Sequence, residues 1–225
     1  MGNTFLNLTN RVLQAFNEVE LNESNFSGSR GFYQEAKDSI NSAIFDIYIE
    51  EDIKWSFAWS QGSFNTTVNE STYSLDPTAL SVDWDTFCIQ RDDAQEVREA
   101  ILGSRDYKTY LKRGKEYSAN SDTGSTPLIA VRKNNNNVIL FPTPDKVFTV
   151  NYEYYSIPSP LVNFDDTTDI PVQLEQMIVD RALHHAYMFR DNVEQAALVN
   201  RRYESTVNKV RRVLIPQFNN VTPLG

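Results

Sequence analysis

The chain has 225 residues, 40% hydrophobic and 23% charged, with a net charge of -9. That size and balance fit one folded domain, or two small lobes sharing a framework, and exclude a disordered chain. The whole net charge sits in residues 1–90, which hold 13 acids and 4 bases, so the chain is a poor wrapper of nucleic acid but a suitable wall for a conduit through which DNA slides.

Leu6, Leu8, Val12, Leu13, Phe16 and Val19 recur at helical spacing and predict a first amphipathic helix over 4–21. A polar turn with Gly28 and Gly31 follows, with Ser29 as a candidate cap. Phe32, Ala36, Ile40, Ala43, Ile44 and Ile47 make the stripe of a second helix. That helix ends in the acidic cluster Glu50-Glu51-Asp52, which opposes the helix dipole and suits display toward a neighbour. From Trp55 the period falls to two. Trp55, Phe57 and Trp59 share a face, and Phe64, Thr66, Val68, Tyr73, Leu75, Trp84, Phe87 and Ile89 continue the alternation. Several short strands at this spacing predict a small antiparallel sandwich or barrel.

Residues 94–117 read as polar helix or coil, and Asn134–Asn137 as a hairpin turn between two short strands. Pro142 and Pro144 place a turn before a strong strand in which Phe148, Val150, Tyr152 and Tyr154 alternate with Thr149, Asn151 and Glu153. Pro171 suits a first helical turn. Leu174, Met177, Ile178, Ala182, His185, Ala186 and Phe189 then form a wide stripe. Asn192 with Gln195 opens a last helix, which carries Ala196, Tyr203, Val207, Val210 and Leu214.

The predicted class is α+β: an antiparallel four-helix bundle from the N- and C-terminal helix pairs, with an inserted small antiparallel β-sandwich or barrel lobe. The expected domains are 1–53 with 166–215 for the bundle, 54–165 for the β-rich insert and 216–225 for a flexible tail.

Candidate chemistry is sparse. His184 and His185 point about 100° apart on a helix and cannot converge on one metal. Asp180 shares a face with His184 but lacks a third ligand. Asp165, Asp166 and Asp169 lack the glycine and distal glutamate of a calcium loop. No glycine-rich phosphate loop is present. The single cysteine, Cys88, excludes an intramolecular disulfide and fits a reducing compartment. No apolar run approaches membrane-spanning length and no secretory signal opens the chain, so the expectation is a soluble protein made in a cytoplasm, without membrane partner, cofactor, metal or catalytic residues. Trp55, Trp59 and Trp84 with Tyr152, Tyr154 and Tyr155 could form a sugar platform, but a buried sheet face explains them more simply. The last helix is basic, with Arg201, Arg202, Lys209, Arg211 and Arg212 against Glu204.

The segment ILFPTPDKVFTVNYEYYSIPSPL, followed by IPVQLEQMIVDRALHHAYMFRDNVEQAALVNRRYESTVNKVRRVL, resembles the head-to-tail adaptor proteins of short-tailed bacteriophages, also called connector or tail tubular A proteins. The Pro-Thr-Pro-Asp turn, the aromatic strand, the Ile170-Pro171 helix start and the final helix pair carry the likeness over residues 128–214. The resemblance implies a non-enzymatic virion protein at the head–tail interface, made in a bacterial host. It would form a dodecameric ring between the portal protein and the tail nozzle protein, with tail fibre proteins as further candidate partners. DNA would pass through the channel without specific binding. It further implies portal docking by the C-terminal end, here Arg201, Arg202, Lys209, Arg211, Arg212, Ile215, Phe218 and Leu224. Glu50, Glu51 and Asp52 are then candidates for the lumen or a subunit seam. The alternatives are a carbohydrate-binding virion module and a neck-associated murein hydrolase.

Overall fold

The computed structural model describes residues 4–50, 53–93, 96–118, 126–134 and 136–214. The chain divides into two units, Met1–Ile53 with Pro158–Gly225, and Lys54–Ile157. Among the described residues the helices are α1 (Phe5–Ala15), α2 (Phe32–Tyr48), α3 (Tyr107–Ser118), α4 (Glu175–Phe189) and α5 (Val193–Leu214).

In the helical unit, Thr4 Oγ1 accepts from the Asn7 amide at 3.3 Å and opens α1, which buries Phe5, Leu8, Val12 and Leu13. The helix stops at Ala15, short of the predicted end, because Asn17 takes a left-handed φ of 55°, a conformation asparagine tolerates. Val19, assigned to the stripe, is left exposed. Gly31, at φ 62°, precedes α2. Ser29 does not cap that helix: its hydroxyl donates to the Phe26 carbonyl at 2.8 Å. Pro171 precedes a 3₁₀ turn, Val172–Leu174, so the α-helical part of α4 begins only at Glu175. The Gln195 amide donates to Asn192 Oδ1 at 3.2 Å, the cap that the sequence suggests for α5.

The predicted four-helix bundle with a sandwich insert does not form; the fold is mixed α+β. α1 and α2 pack on each other and on α4, whereas the helix seam of α5 is with α4. The cause lies in α4, which buries Met177, Ile178, Val179, Ala182, Leu183 and Ala186. Consecutive buried positions wrap more than one side of a helix, so α4 serves several partners at once. Three-turn α1 is too short to complete a fourth wall.

The second unit departs from a simple antiparallel sandwich as well. Its strands are β1 (Trp59–Asn65), β2 (Thr72–Ser74), β3 (Ala79–Asp93), β4 (Glu96–Ile101), β5 (Gly103–Asp106), β6 (Ile129–Asn134), β7 (Asn137–Phe141) and β8 (Thr149–Ser156). They form two four-stranded sheets, ordered β1-β8-β3-β4 and β2-β7-β6-β5. β5 pairs with β6 in parallel, and α3 supplies the crossover. This strand–strand–helix order occupies the stretch predicted as polar helix or coil.

β8 is central in its sheet, between β1 and β3. Its alternation is the predicted one, with Val150, Tyr152 and Tyr154 buried. They join Tyr73, Leu75, Phe87, Ile89, Leu102, Ala130, Val138, Leu140 and Phe148 in one apolar cluster. The Tyr152 ring stacks on Phe87 at 5.2 Å, and its hydroxyl accepts from the Asp76 amide at 2.8 Å.

Gly62 on β1 lies across from Tyr152, and a Cβ there would sit 2.4 Å from the ring. The ring is fixed at both ends and cannot yield cheaply. Gly62→Ala is therefore expected to cost about 1–3 kcal/mol by overpacking, seen as a lower urea midpoint with an unchanged denaturant slope. An unchanged midpoint would show that Tyr152 is free to move.

Candidate interaction surfaces

Polar side chains from distant parts of the sequence meet along both flanks of α4. Arg181 and His185 are four residues apart, so they share one side of the helix. Both donate to Asp46 Oδ2 on α2, at 2.6 Å from Arg181 Nε and 2.9 Å from His185 Nε2. Arg181 Nη1 also donates to Asn200 Oδ1 on α5 at 2.9 Å, and its guanidinium lies 5.3 Å from the Tyr203 ring centre. The Tyr203 hydroxyl donates to Glu50 Oε2 at 2.7 Å. Asp180, only 2% exposed, accepts from Arg202 Nη2 at 2.9 Å and Gln176 Nε2 at 2.8 Å. Arg11 of α1 donates to Glu175 Oε1 at 2.6 Å. One arginine thus ties α2, α4 and α5 together.

Burial pushes the His185 pKa below its ordinary 6.5, outweighing the lift from Asp46. The imidazole is therefore neutral near pH 7 and acts as a hydrogen-bond donor to Asp46. Burial, reinforced by Glu50, raises the Tyr203 hydroxyl pKa far above its usual range. Burial, with Asp169 adding to it, pushes Tyr48 up to about 12.

The residues expected at partner surfaces fall into three groups. Arg201 and Lys209 are exposed on α5. Arg202 spends a guanidinium nitrogen on Asp180, and Glu50 accepts from Tyr203, so these two also serve the internal network. Arg211 is half-buried on the last turns of α5. The Arg212 side chain, Glu51, Asp52, Ile215, Phe218 and Leu224 lie outside the described residues. Asp46, Arg181 and the His185–Asp46 contact escaped the sequence reading. The available signal was position: Asp46 and Arg181 lie between buried residues of their own helices, Ile44 and Ile47, and Val179 and Ala182.

The other candidates resolve into structure. His184 Nδ1 is pinned 3.1 Å from the Ala196 carbonyl. Asp166 Oδ2 accepts from the Val162 and Asn163 amides at 2.7 and 2.8 Å, which lowers its carboxyl pKa and closes the loop before α4. Among the described residues no group of three or more His, Cys, Asp or Glu could hold a metal. The tryptophans do not share a platform. Trp55 is buried, Trp59 is half-exposed with its indole N–H on Glu153, and Trp84 stacks on Phe87. Among the described residues no helix is long and apolar enough to cross a membrane.

Comparison with known proteins adds one match: the family model described as SU10 adaptor protein covers residues 3–220. No curated protein matches the chain.

Two outcomes follow from the Asp46 network. Asp46→Ala is expected to cost roughly 1–2 kcal/mol, because Arg181 and His185 lose their shared acceptor while staying partly hydrated. Because folding lowers the His185 pKa, its contribution is complete above pH 6.5 and declines as pH falls through the lower folded value. The thermal midpoint of His185→Gln should accordingly fall less steeply below pH 6.5 than that of the wild type. Parallel curves would contradict the assignment.

Proposed function

The chain belongs to the SU10 adaptor protein family, which makes it a phage structural adaptor protein of the virion neck, and we propose that it works as a ring subunit joining the portal to the tail nozzle. The observation that carries the proposal is the family match, which spans residues from both units. The site chemistry supports it. Asp46, Arg181, His185, Asp180 and Arg202 are engaged in holding helices together.

In this proposal the copies surround the DNA exit channel as a dodecamer. Acids of the first 90 residues, with Glu51 and Asp52 following Glu50, face the lumen or the subunit seams, and those at the lumen repel phosphate and let DNA slide. Arg201, Arg202, Lys209, Arg211 and Arg212 on α5 present cations to an acidic surface of the portal. Ile215, Phe218 and Leu224 beyond them add apolar anchors, as hot-spot contacts commonly do. Arg202 contributes what its Asp180 bond leaves available. Tail fibre proteins are further candidate partners on the outer surface.

Purified chain mixed with its portal ring should co-sediment with it. Reversing Arg201 and Lys209 together, both outside the internal network, should weaken that binding and its salt dependence while leaving the circular dichroism spectrum unchanged. Removal of residues 215–225 should weaken it further. Wild-type binding that neither change affects would overturn the docking assignment.

A further inference from the structure

Portal docking by α5 leaves two apolar patches of opposite electrostatic character unused. The first lies where α1 ends and α4 turns into α5. Val19, Met188, Phe189 and Val193 are 76%, 47%, 57% and 62% exposed there. Their base is rigid. Phe16 packs 4.5 Å from Tyr187 and 4.7 Å from Phe32, and Phe32 meets Phe189 at 6.4 Å. Arg190 lies over the Phe32 ring at 3.8 Å and bonds Glu18, fastening the α1 end to the α4 end. Glu20, Asp191 and Glu194 are exposed on the same segments, so with Glu18 the carboxylates outnumber Arg190 and exposed Arg30.

The second patch is on α3 in the other unit. Tyr107, Leu111 and nearby Leu128 are 36%, 58% and 57% exposed. Tyr110 anchors the helix 5.9 Å from Phe141, whose carbonyl accepts from the Leu128 amide at 2.9 Å. Asp106 caps the helix through the Thr109 amide and hydroxyl. Lys108 and Lys112 are exposed, two cations beside the Asp106 carboxylate.

Clusters of large apolar side chains left in water mark interaction sites, and burying them is favourable by roughly 25 cal/mol per Å². Here the balance of charge is acidic around the first cluster and basic around the second. We propose that they are mating faces: the acidic-rimmed end of the helical unit in one copy seats on the cationic α3 of a second copy. Unlike faces make a heterologous contact, which repeats from copy to copy and closes into a ring when the rotation allows. The inference rests on the ring proposal above for that closure, and supplies the subunit seam it needs.

Charge exchange tests it. Sedimentation velocity of the full chain should show concentration-dependent association that weakens with added salt. Asp191→Lys with Glu194→Lys should weaken the association about tenfold or more, and so should Lys108→Glu with Lys112→Glu. All four changes in one chain should restore it, because the attraction is then reversed but intact. Circular dichroism of each variant checks folding. A wild type that stays monomeric, an association indifferent to either pair, or a four-fold variant no better than the pairs would overturn the seam. The same variants mixed with portal rings separate this inference from the adaptor proposal. Wild-type portal binding with unchanged stoichiometry in both pairs keeps the adaptor and discards the seam, whereas absent wild-type portal binding discards the adaptor.

Discussion

The helical unit depends on the seam between α2 and α4, whose residues are separated in sequence by the whole β unit. Asp46 is bonded to Arg181 and His185 across that interval. Small buried residues on both helices, Ala36, Ser39 and Ala43 on α2 and Ala182 and Ala186 on α4, allow the backbones to approach closely. Loop-closure entropy grows only slowly with length, so the long excursion between them adds little to the cost of the seam. α1 and α5 then need only to find α4. Arg11 does so from one helix through Glu175, and Arg202 from the other through Asp180.

This arrangement divides the charges into two populations. Half-buried ones specify which helix meets which, a role in which the geometry of a bond counts for more than its net energy. Exposed ones such as Lys108 and Lys112 on α3, Arg201 and Lys209 on α5, and Asp191 and Glu194 at the α4–α5 turn stand outside those ties. An adaptor requires such a division: a body rigid enough to hold its outline, and surface charges that choose its neighbours. Neutral His185 belongs to the body, since burial keeps it uncharged near pH 7.

Much of the element structure was legible from periodicity. The alternation through Val150, Tyr152 and Tyr154 fixes the buried face of β8, and Asn192 marks the start of α5. Arrangement was less legible, because a stripe reveals which face is buried but not what covers it. The four-helix closure failed for that reason. Within residues 94–117, read only as polar helix or coil, strands β4 and β5 and the parallel pairing of β5 with β6 were hidden because the stretch is polar and its strands are short. Glu50 reads from sequence as one of an acidic cluster at a helix end, suited to display toward a neighbour or to solvent. Its partner Tyr203 lies 153 residues away, beyond any local pattern. Charged positions such as Asp46 and Arg181 resemble a solvated face until the second helix is in place.

These features serve the role proposed for the chain, a building block shaped by α4 that stands beside copies of itself at the capsid's exit. Cryo-electron microscopy of the virion neck tests that most directly. Density for this chain should form a closed ring between portal and tail, with its helical unit traceable as α1, α2 and α5 packed on α4. A neck without this polypeptide, or one holding isolated copies that do not touch, would contradict it.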